Sequence, residues 1–147
     1  MSTKELLSAT LKDAMRSNDD VTKRTVRMVL ASIKMAEIEK RIELDESAIQ
    51  GILQKEIKMR NESLDAAIQI NREDLIADAR AEILVLEKFI PKQLTDAELT
   101  VIVQQSIEEL GAKSKADMGK VIKSVMIKAK GQAAGDKISK IVKDLLQ

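Results

Sequence analysis

The chain has 147 residues, a formal net charge of +1, one Pro, and neither Cys nor His. That length suits one domain, or a medium domain with a small appendage, and can bury about 70% of the unfolded surface. The missing residue types exclude disulfides, thiolate zinc sites, a thiol nucleophile and the usual neutral-pH proton shuttle.

Helical signals recur from end to end, and no segment alternates like a strand. The first predicted helix runs from about Thr3 to Ser17, opened by a Ser2–Glu5 capping box, with Leu7, Leu11, Ala14 and Met15 inward. The second begins after Asp20 as N-cap and reaches about Ile42. It has two apolar rows. Val26, Val29, Leu30, Ile33 and Ala36 form one, and Met28, Ala31, Met35, Ile38 and Ile42 the opposite one. A helix apolar on two sides is expected at the centre of its bundle, the rival being that the second row is an interface. Asp45 caps the third helix, which extends to about Ile70 on Ile49, Ile52, Leu53, Ile57, Leu64 and Ile68, with Glu56 and Arg60 at i, i+4. Asn71 and Asp74 are expected to cap the fourth, which buries Leu75, Ala79, Ile83 and Leu86 and is stopped by Pro91.

A Thr95–Glu98 capping box opens the fifth helix, which carries Leu99, Ile102, Val103, Ser106 and Leu110 and closes on Gly111. Ser114 and Asp117 open the sixth, with Met118, Val121, Ile122, Val125 and Ala129 as its core row and an end near Gly131. The seventh runs from about Gly135 to the end, with Ile138, Ile141, Val142 and Leu145 inward. The expected fold is therefore all-α. An N-terminal bundle of about four helices (1–92) precedes a small three-helix domain (93–147). The N-terminus shows no leader-like apolar run, and no stretch approaches the ~20 apolar residues of a membrane span. A soluble, cytoplasmic protein without a membrane partner is expected.

Charge is distributed unevenly. Residues 1–90 hold 15 Lys+Arg against 17 Asp+Glu, a net of −2, while 91–147 hold 10 against 7, a net of +3. From 111 to 147, nine Lys face three Asp, a net of +6, with no Arg. A local, one-signed excess points to a phosphate-bearing partner. The candidate contacts are Lys113, Lys115, Lys120, Lys123, Lys128, Lys130, Lys137 and Lys140, with Lys143 beside them. Phe89 is the only aromatic residue, so base stacking is not supplied, and electrostatic contact with structured RNA is expected rather than single-strand readout. DNA is not an expected partner. Ile127 projects among these lysines; together with Met28, Met35 and Ile42 it forms the candidate surface for a protein partner or a second copy.

Other constellations carry less. Gly119-Lys120 resembles the end of a P-loop, but Ser114 and Val121 stand where that loop needs Gly and Ser or Thr. Asp74, Asp78 and Glu82 line up at i, i+4, i+8 and read as a hydrated outer face rather than a metal site. Neither a catalytic residue nor a metal or cofactor is expected, and the chain is not expected to be catalytic alone.

The segments Arg27-Met28-Val29-Leu30-Ala31-Ser32-Ile33-Lys34, Leu53-Gln54-Lys55-Glu56-Ile57-Lys58 and Leu86-Glu87-Lys88-Phe89-Ile90-Pro91-Lys92-Gln93-Leu94 resemble the signature of the YqeY family. Asp117-Met118-Gly119-Lys120-Val121 and Lys130-Gly131 are similar to a motif shared with the C-terminus of the GatB subunit of tRNA-dependent amidotransferases. The resemblance implies a helical domain followed by a smaller helical tail domain that grips tRNA. It adds Gly119 and Gly131 to the candidate RNA contacts, alongside Lys120 and Lys130. It implies no ligase activity, because the catalytic parts of that enzyme lie elsewhere. Ile127 replaces a frequent Pro, so the sixth helix is expected to run further. Gln132 replaces a frequent basic residue.

Overall fold

The computed structural model of the chain describes residues 1–146. Among the described residues there are seven α-helices: α1 Thr3–Ser17, α2 Asp20–Lys40, α3 Glu46–Gln69, α4 Glu73–Glu87, α5 Asp96–Leu110, α6 Met118–Ala129 and α7 Gly135–Leu145. A 3₁₀ turn over Lys115–Asp117 leads into α6. The fold is all-α, with no strand among the described residues. Contacts divide the chain into two compact units, Met1–Ile90 with α1–α4 and a second starting at Pro91 with α5–α7.

In the first unit, Leu7, Val26, Val29, Ile33, Leu53 and Leu86 are fully buried, joined by Ile49, Val85 and Phe89. The Ser2–Glu5 capping box forms as expected, and Asp45 caps α3 through the Ala48 amide. Two caps differ. Asp19, one residue earlier than Asp20, caps α2 by accepting from Thr22 N–H and Thr22 Oγ1, and these bonds hold its carboxyl below the ordinary value. Asn71 does not cap α4, because it adopts a left-handed backbone (φ 54°); Arg72 takes the position with no side-chain cap bond. α2 also ends two residues early, at Arg41 with φ 56°.

α2 contacts α1, α3 and α4, as a central helix does, but burial on both of its sides is not found. Val26, Val29 and Ile33 of its first row are buried and Leu30 and Ala36 partly so, but Met28, Met35, Ile38 and Ile42 are 52–63% exposed. The four-helix unit closes over one side of α2 only. Ile68 and Leu75 are likewise exposed, at the far ends of the α3 and α4 rows.

The acidic row of α4 is committed to arginines. Arg60 Nη1 donates to Glu56 Oε2 at 2.6 Å, both side chains being under 10% exposed. Arg60 Nε lies 3.3 Å from Glu82 Oε2, an ionic contact without an aligned hydrogen bond. Arg24 Nε donates to Glu82 Oε1 at 3.2 Å and lies 3.7 Å from Asp78, while Ser32 donates to Glu56. Asp74 accepts from Arg72, which lowers its carboxyl pKa. Asp78 and Glu82 thus belong to a network joining α2, α3 and α4. They are not simply a hydrated face, and no group of three or more acidic side chains able to hold a metal exists among the described residues.

In the second unit, Leu99 and Val103 of α5 pack with Val121, Val125 and Ala129 of α6, Ile138 and Val142 of α7, and Leu146. Leu146, not Leu145, turns inward, because the chain leaves the helix after Leu145 and the extended Leu146 folds back. Leu110, expected inside, is 47% exposed at the end of α5. The Thr95–Glu98 box and Gly111 (φ 62°) bound α5 as expected. Lys130 and Gly131 are both left-handed (φ 49° and 82°) and turn the chain after α6. The segment after Pro91 fastens to that turn: Leu94 N–H donates to Gln132 O at 2.7 Å, and Gln93 Nε2 to Gly131 O at 3.2 Å.

Arg60→Ala strips Glu56 of its buried partner and is expected to cost about 3–5 kcal/mol. Arg60→Met with Glu56→Leu removes both charges and should cost clearly less. Hydrogen exchange of the α3 amides in the full chain reads both values.

Glu37 accepts from Lys4 Nζ at 2.8 Å and from Leu44 N–H at 2.9 Å, and these bonds, the lysine's first, lower its pKa. A lowered folded-state pKa gives stability that is present above the unfolded value and is lost as pH falls through the folded one. Glu37→Gln should therefore flatten the loss of stability below about pH 4.5, as measured by urea denaturation at a series of acidic pH values.

Candidate functional site

The sixth helix turns about 100° per residue, so its buried row fixes what lies opposite. Met118, Val121, Ile122, Val125 and Ala129 face the core. Gly119, Lys120, Lys123, Met126 and Ile127 fall on the other side, and all are exposed. Lys130 follows at the C-cap. The stretch from Met118 to Gly135 contains no acid, so nothing on α6 itself offsets these charges. Lys120, Lys123 and Lys130 form no ion pair among the described residues.

The remaining candidates separate from this group. Lys128 sits at the flank and donates to Glu109 Oε2 of α5 at 2.7 Å. Lys137 reaches Asp96 Oδ1 at the start of α5, also at 2.7 Å. Both charges are thus matched within the unit. Lys140 and Lys143 stand on the outer side of α7, where Asp136 and Asp144 alternate with them. Lys113 and Lys115 are exposed on the approach to α6, where the Lys113 N–H donates to Asp117 Oδ2 at 3.1 Å. That bond shapes the loop.

The two glycines divide as well. A Cβ at Gly119 would meet nothing within 4 Å, so close packing does not explain it, and bare helix backbone is open to solvent there. Gly131 is accounted for by its left-handed φ and by its carbonyl, which accepts from Gln93. α6 runs unbroken through Ile127, which is 69% exposed, and ends at Ala129. Met126, 52% exposed, is the residue that sequence reasoning missed. Its position three residues after Lys123 is the signal that could have found it. In the first unit, Met28 and Met35 lie on the outer side of α2, and Ile42 is exposed just after its end.

This geometry can present ammonium groups, a patch of bare backbone and two apolar side chains to a partner. It shows no nucleophile with an activating base.

The model of the Yqey-like protein family matches residues 4–146. The chain belongs to that family. Among its relatives are proteins named "Altered inheritance of mitochondria protein 41, mitochondrial". The one from Eremothecium gossypii is 35% identical over 111 residues, covering 75% of this chain and 56% of the relative. That from Pyrenophora tritici-repentis is 29% identical, covering 95% and 78%. One from Saccharomyces cerevisiae is 31% identical, covering 82% and 66%. The chain thus spans little more than half of the first relative's length. These names correct the cytoplasmic expectation, since the relatives are mitochondrial proteins. That expectation rested on missing Cys and a missing leader-like run. Absent Cys speaks only against an oxidising compartment, and so does not separate the cytoplasm from other reducing ones. No helix among the described residues is long and apolar enough to cross a membrane.

Gly119→Ala should raise the stability of the second unit by about 0.5–1 kcal/mol, because an open helical glycine carries only its entropic cost. Denaturant unfolding followed by circular dichroism checks the sign.

Proposed function

We propose that the chain is a non-catalytic accessory module that binds tRNA or another structured RNA through the outer face of α6. In this reading the helices after Pro91 act as a tail domain like that of the GatB subunit, and those before it as the supporting bundle. The observation that carries the reading is the row of unpaired lysines on a helix without acids. Ammonium groups on flexible stems are strongly hydrated point charges suited to phosphates. They read no base sequence, so recognition rests on backbone shape and charge. The exposed backbone at Gly119 allows close approach of a sugar–phosphate chain. A role as a ligase subunit gains no support from the geometry, as no ATP-cradling loop accompanies Gly119-Lys120.

The binding should weaken steeply with salt. Replacing Lys120, Lys123 and Lys130 with Ala is expected to reduce the log–log salt slope for tRNA by about 0.7–0.9 per lost phosphate contact. Replacing Lys128 and Lys137, which are paired within the unit, should change it less. Filter binding across a salt series measures both, and equal affinity of wild type and the α6 triple variant at low salt would refute the proposal.

A further inference from the structure

The outer side of α2 carries a second organised surface. Met28, Ala31, Met35, Ile38 and Ile42 recur at alternating spacings of three and four, the pattern of a helix–helix seam. All are exposed; the four on the helix, Met28 to Ile38, extend about 15 Å at 1.5 Å per residue, and Ile42 follows just past the helix end. On the α3 side it opens into a groove of about 420 Å³ lined largely by apolar groups, including Ala31, Met35 and Ala36 of α2 and Ile52 and Met59 of α3. Along the opposite edge stand Arg27 and Lys34, seven residues apart, and Arg41 follows at the left-handed C-cap. All three are exposed, and none forms an ion pair among the described residues. Glu37, which shares that side of α2, is engaged by Lys4 and the Leu44 amide.

We propose that this face docks an acidic amphipathic helix of a protein partner. The apolar side of such a helix fills the seam and groove, where flexible Met side chains adapt to its shape. Acids repeating every seven residues along its edge meet Arg27, Lys34 and Arg41. Charge decides against a second copy of this chain. In an antiparallel twofold pair, each edge meets its own copy, which sets the three cations against three more. In a parallel pair, Lys34 would meet Glu39 of the other copy, while Arg27 would meet Ser32 and Arg41 would lie beyond the end of the helix at Lys40. One cation in three is then satisfied. An acidic helix that runs on past Lys40 offers a partner to all three.

The test needs no RNA, so it stands apart from the function proposed for α6. Two labelled peptides of about four helical turns serve as probes. They share a leucine seam and differ in carrying Glu or Lys along the edge. Fluorescence anisotropy with the full chain should show the Glu peptide binding about tenfold more tightly, as three exposed charge pairs allow. R27E/K34E/R41E should reverse the preference, and Met35→Asp should weaken both peptides. Circular dichroism checks each variant's helicity; if the charge reversal unfolds, R27Q/K34Q/R41Q must still erase the preference. Equal binding of the two peptides, or a preference that survives charge reversal, overturns the proposal. So does self-association in sedimentation that Met35→Asp abolishes, which assigns the face to a second copy. Competition between the Glu peptide and tRNA, with tRNA binding lost in R27E/K34E/R41E, assigns the face to RNA and overturns it too.

Discussion

Burial of Val121, Val125 and Ala129 beside Leu99, Val103, Ile138 and Val142 is the interaction on which the cationic face depends. A short helix has little choice of rotation once its apolar row is seated. Each fully buried valine contributes on the order of 1.5 kcal/mol through apolar burial. Rolling α6 to hide Lys120 or Lys123 would expose that row and bury an ammonium group without a partner, a far larger cost. Packing in this small core therefore fixes the direction of the lysines, although none of them takes part in it. Gly119 and Ile127 are carried outward by the same rotation.

The first unit handles charge differently. Arg60 and Glu56 lie under the surface, and Glu82 sits between Arg60 and Arg24. A buried pair of this kind adds little net stability against an apolar replacement, but losing one member leaves a stranded charge. The network draws one edge of α2 toward α3 and α4 through Ser32 and Arg24. With the row containing Val26, Val29 and Ile33 held inward, the side bearing Met28 and Met35 remains outside, tied to the bundle only near its start, where Arg24 engages Glu82 and the Met28 sulfur accepts from Arg60. The same contacts that complete the bundle thus leave a methionine-rich seam uncovered.

Local signals were legible in the sequence because they are settled within one turn of helix. Ser2 with Glu5 and Thr95 with Glu98 each satisfy their own backbone, whatever packs nearby. The all-α class and the buried rows of α6 and α7 follow from periodicity in the same way, with Leu145 and Leu146 exchanged only where the helix ends. Features that need a partner from elsewhere in the chain were not legible. Nothing near Lys128 or Lys137 in sequence indicates that Glu109 and Asp96 neutralise them. Asn71 has the right chemistry for a cap, but the reversal after α3 places it in a left-handed backbone. Both rows of α2 were visible, yet which one the bundle covers is a tertiary outcome that periodicity does not encode.

The division of cations between the units has a physical sense. Every arginine precedes Pro91, and every cation after it is lysine. A guanidinium offers a planar fork, which Arg60, Arg24 and Arg72 use to engage carboxylates inside the first unit. Lysine gains less from fixed pairing and keeps its hydration on an open surface. Of the nine lysines after Leu110, Lys128 and Lys137 are drawn to acids of α5, and those of α7 share their side with Asp136 and Asp144. What remains on α6 is a small cationic patch rather than a uniformly basic domain. A patch of that kind attracts a polyanion over about one Debye length, 8–10 Å at ordinary salt. It then leaves discrimination to shape, to the bare backbone at Gly119, and to whatever apolar contact Met126 and Ile127 find.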